Sequence, residues 1–464
     1  MIKRTDKFKD IISSSPLVCY LFYHRYFRRT YKFLKDSEWW NEQQIETYQL
    51  SQLKKLMDHA YTNVPYYKTL FDKYGLKPSD INTIEDLQKI PFLTKEIVRE
   101  NIRYLKARNY PEYKFEYVTS GGSSGIPLGL FDEKFVRVSK STAYFKMVLN
   151  RFDCSLYDKH VDMRGYIVIS SKNKDKFWGY SLFGRRLCLS SYHMNEENLP
   201  KYIEKIRRFR PKFLITYPSS LTVLAIYMKK NNIEPFKTVK GIICLGESLY
   251  DWQRELFEET LCCKVFGSYG HAEQVASGAS CEKSNYYHFF PDYGIIELIG
   301  NNGKLVKKEG EIGEIVATGL NNFICPFIRY RTGDLGICTS EKCSCGRNYP
   351  MVKNIFGRAQ EYLINKDNSY MPMAAVNMHS NIFDNVRQCQ FYQEKRGEAI
   401  LRIVKTDAYG KEDTEKIKKE FALRLGNDFH IDIEFVDEIK KTMRGKHSYL
   451  VQKIPINIEE LLSK

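Results

Sequence analysis

From about residue 160 to 270 the chain alternates apolar runs with amphipathic stretches: GYIVIS, Leu199 to Arg208, KFLITY, SLTVLAIYMKK, VKGIICLG, DWQRELFEETL and CKVFGSYG. Strands rich in Val, Ile, Leu and Phe that alternate with helices at this spacing demand a parallel sheet covered on both faces. Such sheets place ligands at the carboxyl ends of their strands, where Gly-rich turns fall here. At 464 residues and 43% hydrophobic, the chain has enough apolar material for two or three domains with full cores. After Pro291 the rhythm changes to short strands, YGIIELI and GEIVATGL, joined by NNGK and KEGEIG turns, which predicts a smaller β-rich unit. A further shift near Gly357 predicts a C-terminal α+β domain over 358–464, following an N-terminal α/β domain over 1–357.

No run reaches the roughly eighteen apolar residues of a membrane-spanning helix, and the basic N-terminus lacks a small-residue cleavage site, so a cytoplasmic protein is expected. Leu17 to Leu34 could form a helix with aromatics on one side and Arg on the other, suited either to packing on its own domain or to peripheral contact with an anionic membrane. The excess of 72 Lys and Arg over 56 Asp and Glu, a net +16, favours anionic partners. Nucleic acid is not expected, because zinc-finger spacing, an RNA-recognition signature and a basic heptad region are all missing.

TSGGSSGIP, at 119–127, puts hydroxyls and glycines in one loop, which suits a polyphosphate, although no Gly-Lys-Ser/Thr follows as in a P-loop. Further along come GES at 246–248, SYGHAEQ at 268–274, IRYRTGDLG at 328–336, GRAQEYL from Gly357 and TMRGKHSYL around Lys446. In this order and at these separations the segments resemble the adenylate-forming (AMP-binding) superfamily, in the branch of phenylacetate-CoA ligases, coenzyme F390 synthetases and CapK-type capsular polysaccharide proteins. The N-terminal QLSQLKKLMDHAYTNVPYYKTLF and IPFLTKEIVREN extend that resemblance over nearly the whole chain.

The resemblance implies an ATP-dependent ligase: a carboxylate attacks the α-phosphate of ATP, and the acyl group then passes to coenzyme A, in a capsular or surface polysaccharide setting. A synthase acylating a sugar or amine, and a catalytically idle binding protein at an anionic membrane, are the alternatives. Carried over by motif, Thr119, Ser120, Gly121, Gly122, Ser123, Ser124 and Gly125 cradle the phosphates, and Tyr269 with Gly270 faces adenine. Glu273 is the Mg²⁺ carboxylate, with a helix-start acid as its bland reading, and Gly246 and Glu247 shape the floor of the adenine pocket. Asp334 takes the ribose hydroxyls, Arg331 pairs with Asp334 or a phosphate unless it is a structural ion pair, and Arg358 reaches the ribose. Gln360 stands where relatives place a hinge, often as Asp, and Lys446 delivers positive charge to the adenylation transition state.

A separate signal comes from cysteine. Cys343 and Cys345 on one tight turn, with Cys281 and His288 from another segment, make a Cys₃His set suited to structural zinc with no open position. Cys338 is a rival ligand, and buried free thiols are the alternative. His193 and His271 could line an acyl pocket but are more simply explained as satisfied neutral side chains.

Overall fold

The computed structural model describes residues 16–119, 128–134, 136–164, 177–181, 184–191, 193–194, 197–358, 362–366, 370–372, 383, 385–425, 429–440 and 448–455. The N-terminal third is helical: α1 (Pro16–Ser37), α2 (Glu42–Asn63), α3 (Pro65–Tyr74) and α4 (Lys95–Asn101). Asn41 and Gln44 close a capping box at the start of α2, and Pro65 takes the first turn of α3, where a missing N–H costs nothing. The hairpin β1 (Phe115–Thr119) and β2 (Gly129–Glu133) follows, then α5 (Val136–Asn150).

Next come β3 (His160–Met163), β4 (Trp178–Tyr180), β5 (Arg186–Leu189), α6 (Leu199–Phe209), β6 (Phe213–Thr216), α7 (Pro218–Lys230), β7 (Gly241–Leu245), α8 (Asp251–Leu261) and β8 (Lys264–Gly270). The expected strand at GYIVIS lies outside the described residues. β5, β3, β6, β7 and β8 pair in parallel, with β4 antiparallel at the edge. Successive residues of one strand face opposite layers. Leu214, Ile242 and Val265 pack with α6, α7 and α8, whereas Phe213, Ile243 and Phe266 pack with α5 and α1. Two-sided burial is why these strands read as unbroken apolar runs.

The strands after β8 do not form a sheet of their own. β9 (Ser277–Ser280), β10 (Tyr287–Phe289), β11 (Gly294–Ile299), β12 (Ile312–Gly319), β13 (Tyr330–Cys338) and β14 (Met351–Arg358) extend the parallel strands into one twelve-stranded sheet, in the order β11-β12-β13-β14-β10-β9-β8-β7-β6-β3-β5-β4. The expected β-rich unit is therefore the antiparallel continuation of the parallel sheet, joined where β8 pairs with β9. α2 and α3 cover it with a core that includes Leu53, Tyr67, Phe71, Ile315 and Tyr330.

After the hairpin β15 (Tyr362–Ile364) and β16 (Tyr370–Pro372), β17 (Val386–Lys395), β18 (Glu398–Lys405), α9 (Lys411–Leu425), β19 (His430–Phe435) and β20 (Leu450–Gln452) build a four-stranded sheet in the order β19-β18-β17-β20. Among its described side chains, α1 turns Phe27, Tyr31 and Leu34 onto α5, so that this apolar face is covered by the chain itself. No helix among the described residues is long and apolar enough to cross a membrane.

Candidate active site and metal centre

The carboxyl ends of β6, β7 and β8 lie side by side, and β7 and β8 each carry the chain into residues singled out by the sequence. β7 runs into Gly246, whose φ of +82° is one glycine adopts without strain. The turn places the Glu247 carboxylate at the start of α7, where it accepts hydrogen bonds from Ser219 N and Ser219 Oγ, both at 3.0 Å. Glu247 thus caps the neighbouring helix, stabilised by the positive end of the helix dipole, and ties two strand ends together.

β8 delivers Tyr269, with Gly270 exposed at the strand end. The Tyr269 hydroxyl donates to Asp334 Oδ2 at 2.7 Å, joining two residues 65 positions apart. Burial first, then the Asp334 charge, push this phenol well above its ordinary pKa, so it stays a donor. Asp334 sits in β13 in register with Arg358 of β14, so the backbone brings the two expected ribose-binding positions side by side. Arg331 does not pair with Asp334. Its guanidinium binds Glu314 Oε2 through Nε and Nη2, both at 2.7 Å, while Gly333 N donates to Glu314 Oε1 at 3.1 Å. Glu314 shapes the YRTGD turn and went unnoticed in the sequence, because its pairing depends on a register shift between Glu314 and Val316.

Glu273 is buried, accepts from Tyr330 Oη at 3.2 Å, and lies 3.4 Å from His271 Nδ1. Burial alone would raise its pKa, but His271, the local backbone and Lys95 outweigh it and hold the carboxyl down to about 2. An ionised carboxylate in a dry pocket is a suitable Mg²⁺ ligand. The backbone of Thr119 ends β1 opposite Gly129; its side chain, that of Arg358, and Ser120, Gly121, Gly122, Ser123, Ser124, Gly125, Gln360 and Lys446 lie outside the described residues. Tyr449, three positions after Lys446, is described: its ring packs 6.2 Å from Tyr250 and 6.4 Å from Trp252, and its hydroxyl meets Thr222 and Gln253. A cavity of about 60 Å³ between α7, α8 and β17 is lined by Ser219, Ser220, Thr222, Trp252, Cys389 and Tyr449.

The sulfur and imidazole donors converge as expected. One ligand atom each from Cys281, His288, Cys343 and Cys345 lies within 4.8 Å of the others. Cys281 Sγ and Cys343 Sγ are 3.7 Å apart, against about 3.8 Å for two thiolates 2.3 Å from one tetrahedral zinc. Both ring nitrogens of His288 are buried without a partner. Burial, then Arg151 and Arg347, lower its pKa to about 3, so the ring is the neutral form that ligates metal. Gly346, at φ +85°, makes the turn that presents Cys343 and Cys345, and Arg347 N and Lys283 N each donate to a cluster sulfur at 3.4 Å. Cys338 stands apart, its Sγ 3.8 Å from Val306 O. This donor set fits zinc: a Cys₃His site carries a net negative charge, and the nearby Arg151 and Arg347 guanidiniums offset it. Cys281 opens the loop of the β9–β10 hairpin and His288 lies within β10, and the hairpin pairs on one side with Tyr269 of β8 and on the other with β14.

Residues 363–453 match the family profile of the CapK C-terminal domain. The chain is 26% identical over 415 residues to protein CapK of Staphylococcus aureus, covering 88% of this chain and 89% of that one. To a phenylacetate-coenzyme A ligase of Thermus thermophilus it is 25% identical over 406 residues, covering 84% and 87%. Among solved structures, 2-hydroxyisobutyryl-CoA ligase in the postadenylation state with 2-HIB-AMP superposes with a TM-score of 0.68 over 90% of this chain and 91% of the other, at 18% identity. The order of motifs, the twelve-stranded sheet and these relatives agree: over most of its length the chain is similar to CapK and to phenylacetate-coenzyme A ligases, its residues 363–453 match the CapK C-terminal domain, and its fold is that of 2-hydroxyisobutyryl-CoA ligase.

Proposed function

We propose that the chain is an adenylate-forming ligase that activates a carboxylic acid with ATP and transfers the acyl group to coenzyme A, within surface polysaccharide biosynthesis. The observation that carries this reading is the 2.7 Å hydrogen bond from Tyr269 to Asp334, which joins two independent motifs at the carboxyl end of the sheet. There Tyr269 presents its ring to the base, and Asp334 uses its second oxygen, with Arg358 beside it, for the ribose. The hydroxyl-rich loop from Thr119 to Gly125 takes the phosphates. Glu273 would hold Mg²⁺, which supplies charge neutralisation on the polyphosphate.

Adenylation is a substitution at the α-phosphorus: a carboxylate oxygen bonds to phosphorus as the bond to pyrophosphate breaks. No proton moves, so the protein's work is alignment and charge stabilisation. Lys446, carried by a C-terminal domain over 358–464 that closes on the body over 1–357, supplies positive charge at that step. Cys281, His288, Cys343 and Cys345 hold a structural zinc that fixes the strands carrying Tyr269 and Arg358. Likeness to the phenylacetate-coenzyme A ligases supports the chemistry, and the polysaccharide setting rests on likeness to CapK alone. The test is incubation with ATP, Mg²⁺, a carboxylate panel and coenzyme A: formation of AMP together with an acyl thioester supports the reading. AMP formed only when a sugar or amine is added moves the acceptor to that class, and no AMP with any acid removes the reading.

A further inference from the structure

Two described histidines have both ring nitrogens buried without a hydrogen-bond partner: His288 and His271. Native interiors rarely leave such groups unmet unless an ion or ligand is missing. His288 belongs to the metal cluster, which accounts for it. His193, by contrast, is satisfied by Ser190 Oγ at 2.8 Å and stacks on Phe177. His271 alone remains unexplained, and its position is specific. It follows the last residue of β8, on a turn closed by Gln274 N donating to His271 O at 3.3 Å. The ring stands edge-on to Tyr269 with centroids 5.7 Å apart. Nδ1 faces the Glu273 carboxylate at 3.4 Å, a contact that helps hold that carboxyl ionised, while Nε2 has no partner.

The other side-chain donors of this turn are engaged. The Tyr269 hydroxyl serves Asp334, the Gln274 side-chain amide donates to Asp132 Oδ2 at 2.7 Å, and the Ala272 side chain has no donor. Gln274 adopts φ +55°, a left-handed conformation held by that bond to Asp132, so the turn is fixed with the imidazole in place. The imidazole N–H is then a preorganised donor between the ring that takes the base and the carboxylate that takes Mg²⁺. In a nucleotide, the ribose and then the α-phosphate lie between base and metal, and with the ribose hydroxyls given to Asp334 the anionic oxygen left for an N–H donor there is the phosphate's.

We propose that His271 is a further ligand-contacting residue, whose ring N–H donates to an anionic phosphate oxygen next to the ribose. The inference rests on the adenylate-forming reading and adds to it the residue that distinguishes a nucleotide from its nucleoside. The test compares AMP with adenosine by titration calorimetry on the full-length, metal-loaded protein, using the parent, His271→Ala and His271→Gln. Loss of the donor should weaken AMP tenfold or more in His271→Ala while adenosine stays within twofold, and His271→Gln, whose amide N–H reaches a similar place, should recover part of the loss. Equal weakening of both ligands would show that His271 only supports the fold, and unchanged AMP affinity would show that the phosphate lies elsewhere; either overturns the proposal. A parent that binds adenosine but gains nothing from the phosphate overturns it too, whereas a parent that binds neither removes the nucleotide reading beneath it.

Discussion

Replacing Cys345 by Ser exchanges one soft ligand of the proposed zinc for a hard, weakly acidic hydroxyl, and the geometry sets the size of the effect. Four donors within 4.8 Å of one another, two of them sulfurs 3.7 Å apart, have the spread of a four-ligand zinc site. Structural zinc sites of this kind are worth about 10–16 kcal/mol, or roughly 3–4 kcal/mol per ligand if shared evenly, which is a loss of two to three orders of magnitude in affinity. The damage extends beyond the metal, because Arg347, on the same turn, binds Glu282 at 2.7 Å and Glu38 at 2.9 Å, tying the cluster to the end of α1. The expected result is one zinc per chain in the parent, a substoichiometric amount in Cys345→Ser after dialysis against a mild chelator, and a melting temperature lower by several degrees. Cys338→Ser, whose sulfur lies against Val306 O and outside the cluster, should keep both metal and melting temperature. Elemental analysis with thermal melts decides. Zinc retained in Cys345→Ser, or lost only in Cys338→Ser, would refute the ligand assignment, and a parent without zinc would refute the metal.

Asp334→Ala removes the ribose acceptor and leaves the Tyr269 hydroxyl without its partner; ATP affinity should fall by about 1.5–3 kcal/mol, the worth of hydrogen bonds to a charged group, as read by calorimetry. Tyr449→Ala should slow adenylate formation more than it raises KM for ATP, since its contacts with Tyr250, Trp252, Thr222 and Gln253 seat the segment that carries Lys446; an unchanged kcat for adenylation would show that this docking is dispensable. Burial raises the pKa of Asp292 from 3.8 to about 6. Because the folded value exceeds the unfolded one, its stabilising contribution is full below pH 4 and is lost as pH rises through about 6. Asp292→Asn should therefore gain of order 3 kcal/mol over the parent between pH 4 and pH 8 in denaturant melts. A gap that does not widen with pH would contradict the assignment.

Much of the site was legible because the motifs lie at strand ends, and the position of a strand end follows from local pattern. The apolar runs at Phe213–Thr216 and Gly241–Leu245 fixed the parallel strands, and the residues after them were bound to meet at one edge of the sheet. The cysteine set was legible for another reason: few arrangements other than a metal bring three sulfurs and an imidazole together. What stayed hidden were pairings decided in three dimensions. Arg331 could be seen to need an acid, but only the irregular register of β12 against β13 selects Glu314 over Asp334. Glu247 was placed correctly at a strand end, yet its engagement with Ser219 depends on the crossing of a neighbouring β–α turn. The continuity of the sheet from β8 into β9 was likewise invisible, since a change from parallel to antiparallel strands reads in sequence like a change of domain. By frequency His271 reads as a neutral side chain satisfied by its neighbours, and only its surroundings, with Glu273 at 3.4 Å and no partner at Nε2, raise a different question.

The central claim is that this chain forms acyl adenylates, and carboxylate-dependent exchange of labelled pyrophosphate into ATP tests it most directly, because exchange reports the first half-reaction whatever the acceptor. Purified parent protein should catalyse exchange with at least one acid of a broad carboxylate panel and none without acid. Lys446→Ala should lower that rate by several orders of magnitude, because its charge acts mainly in the transition state, while transfer from a supplied acyl adenylate survives. Absence of acid-dependent exchange across the panel in zinc-replete, folded protein would contradict the account.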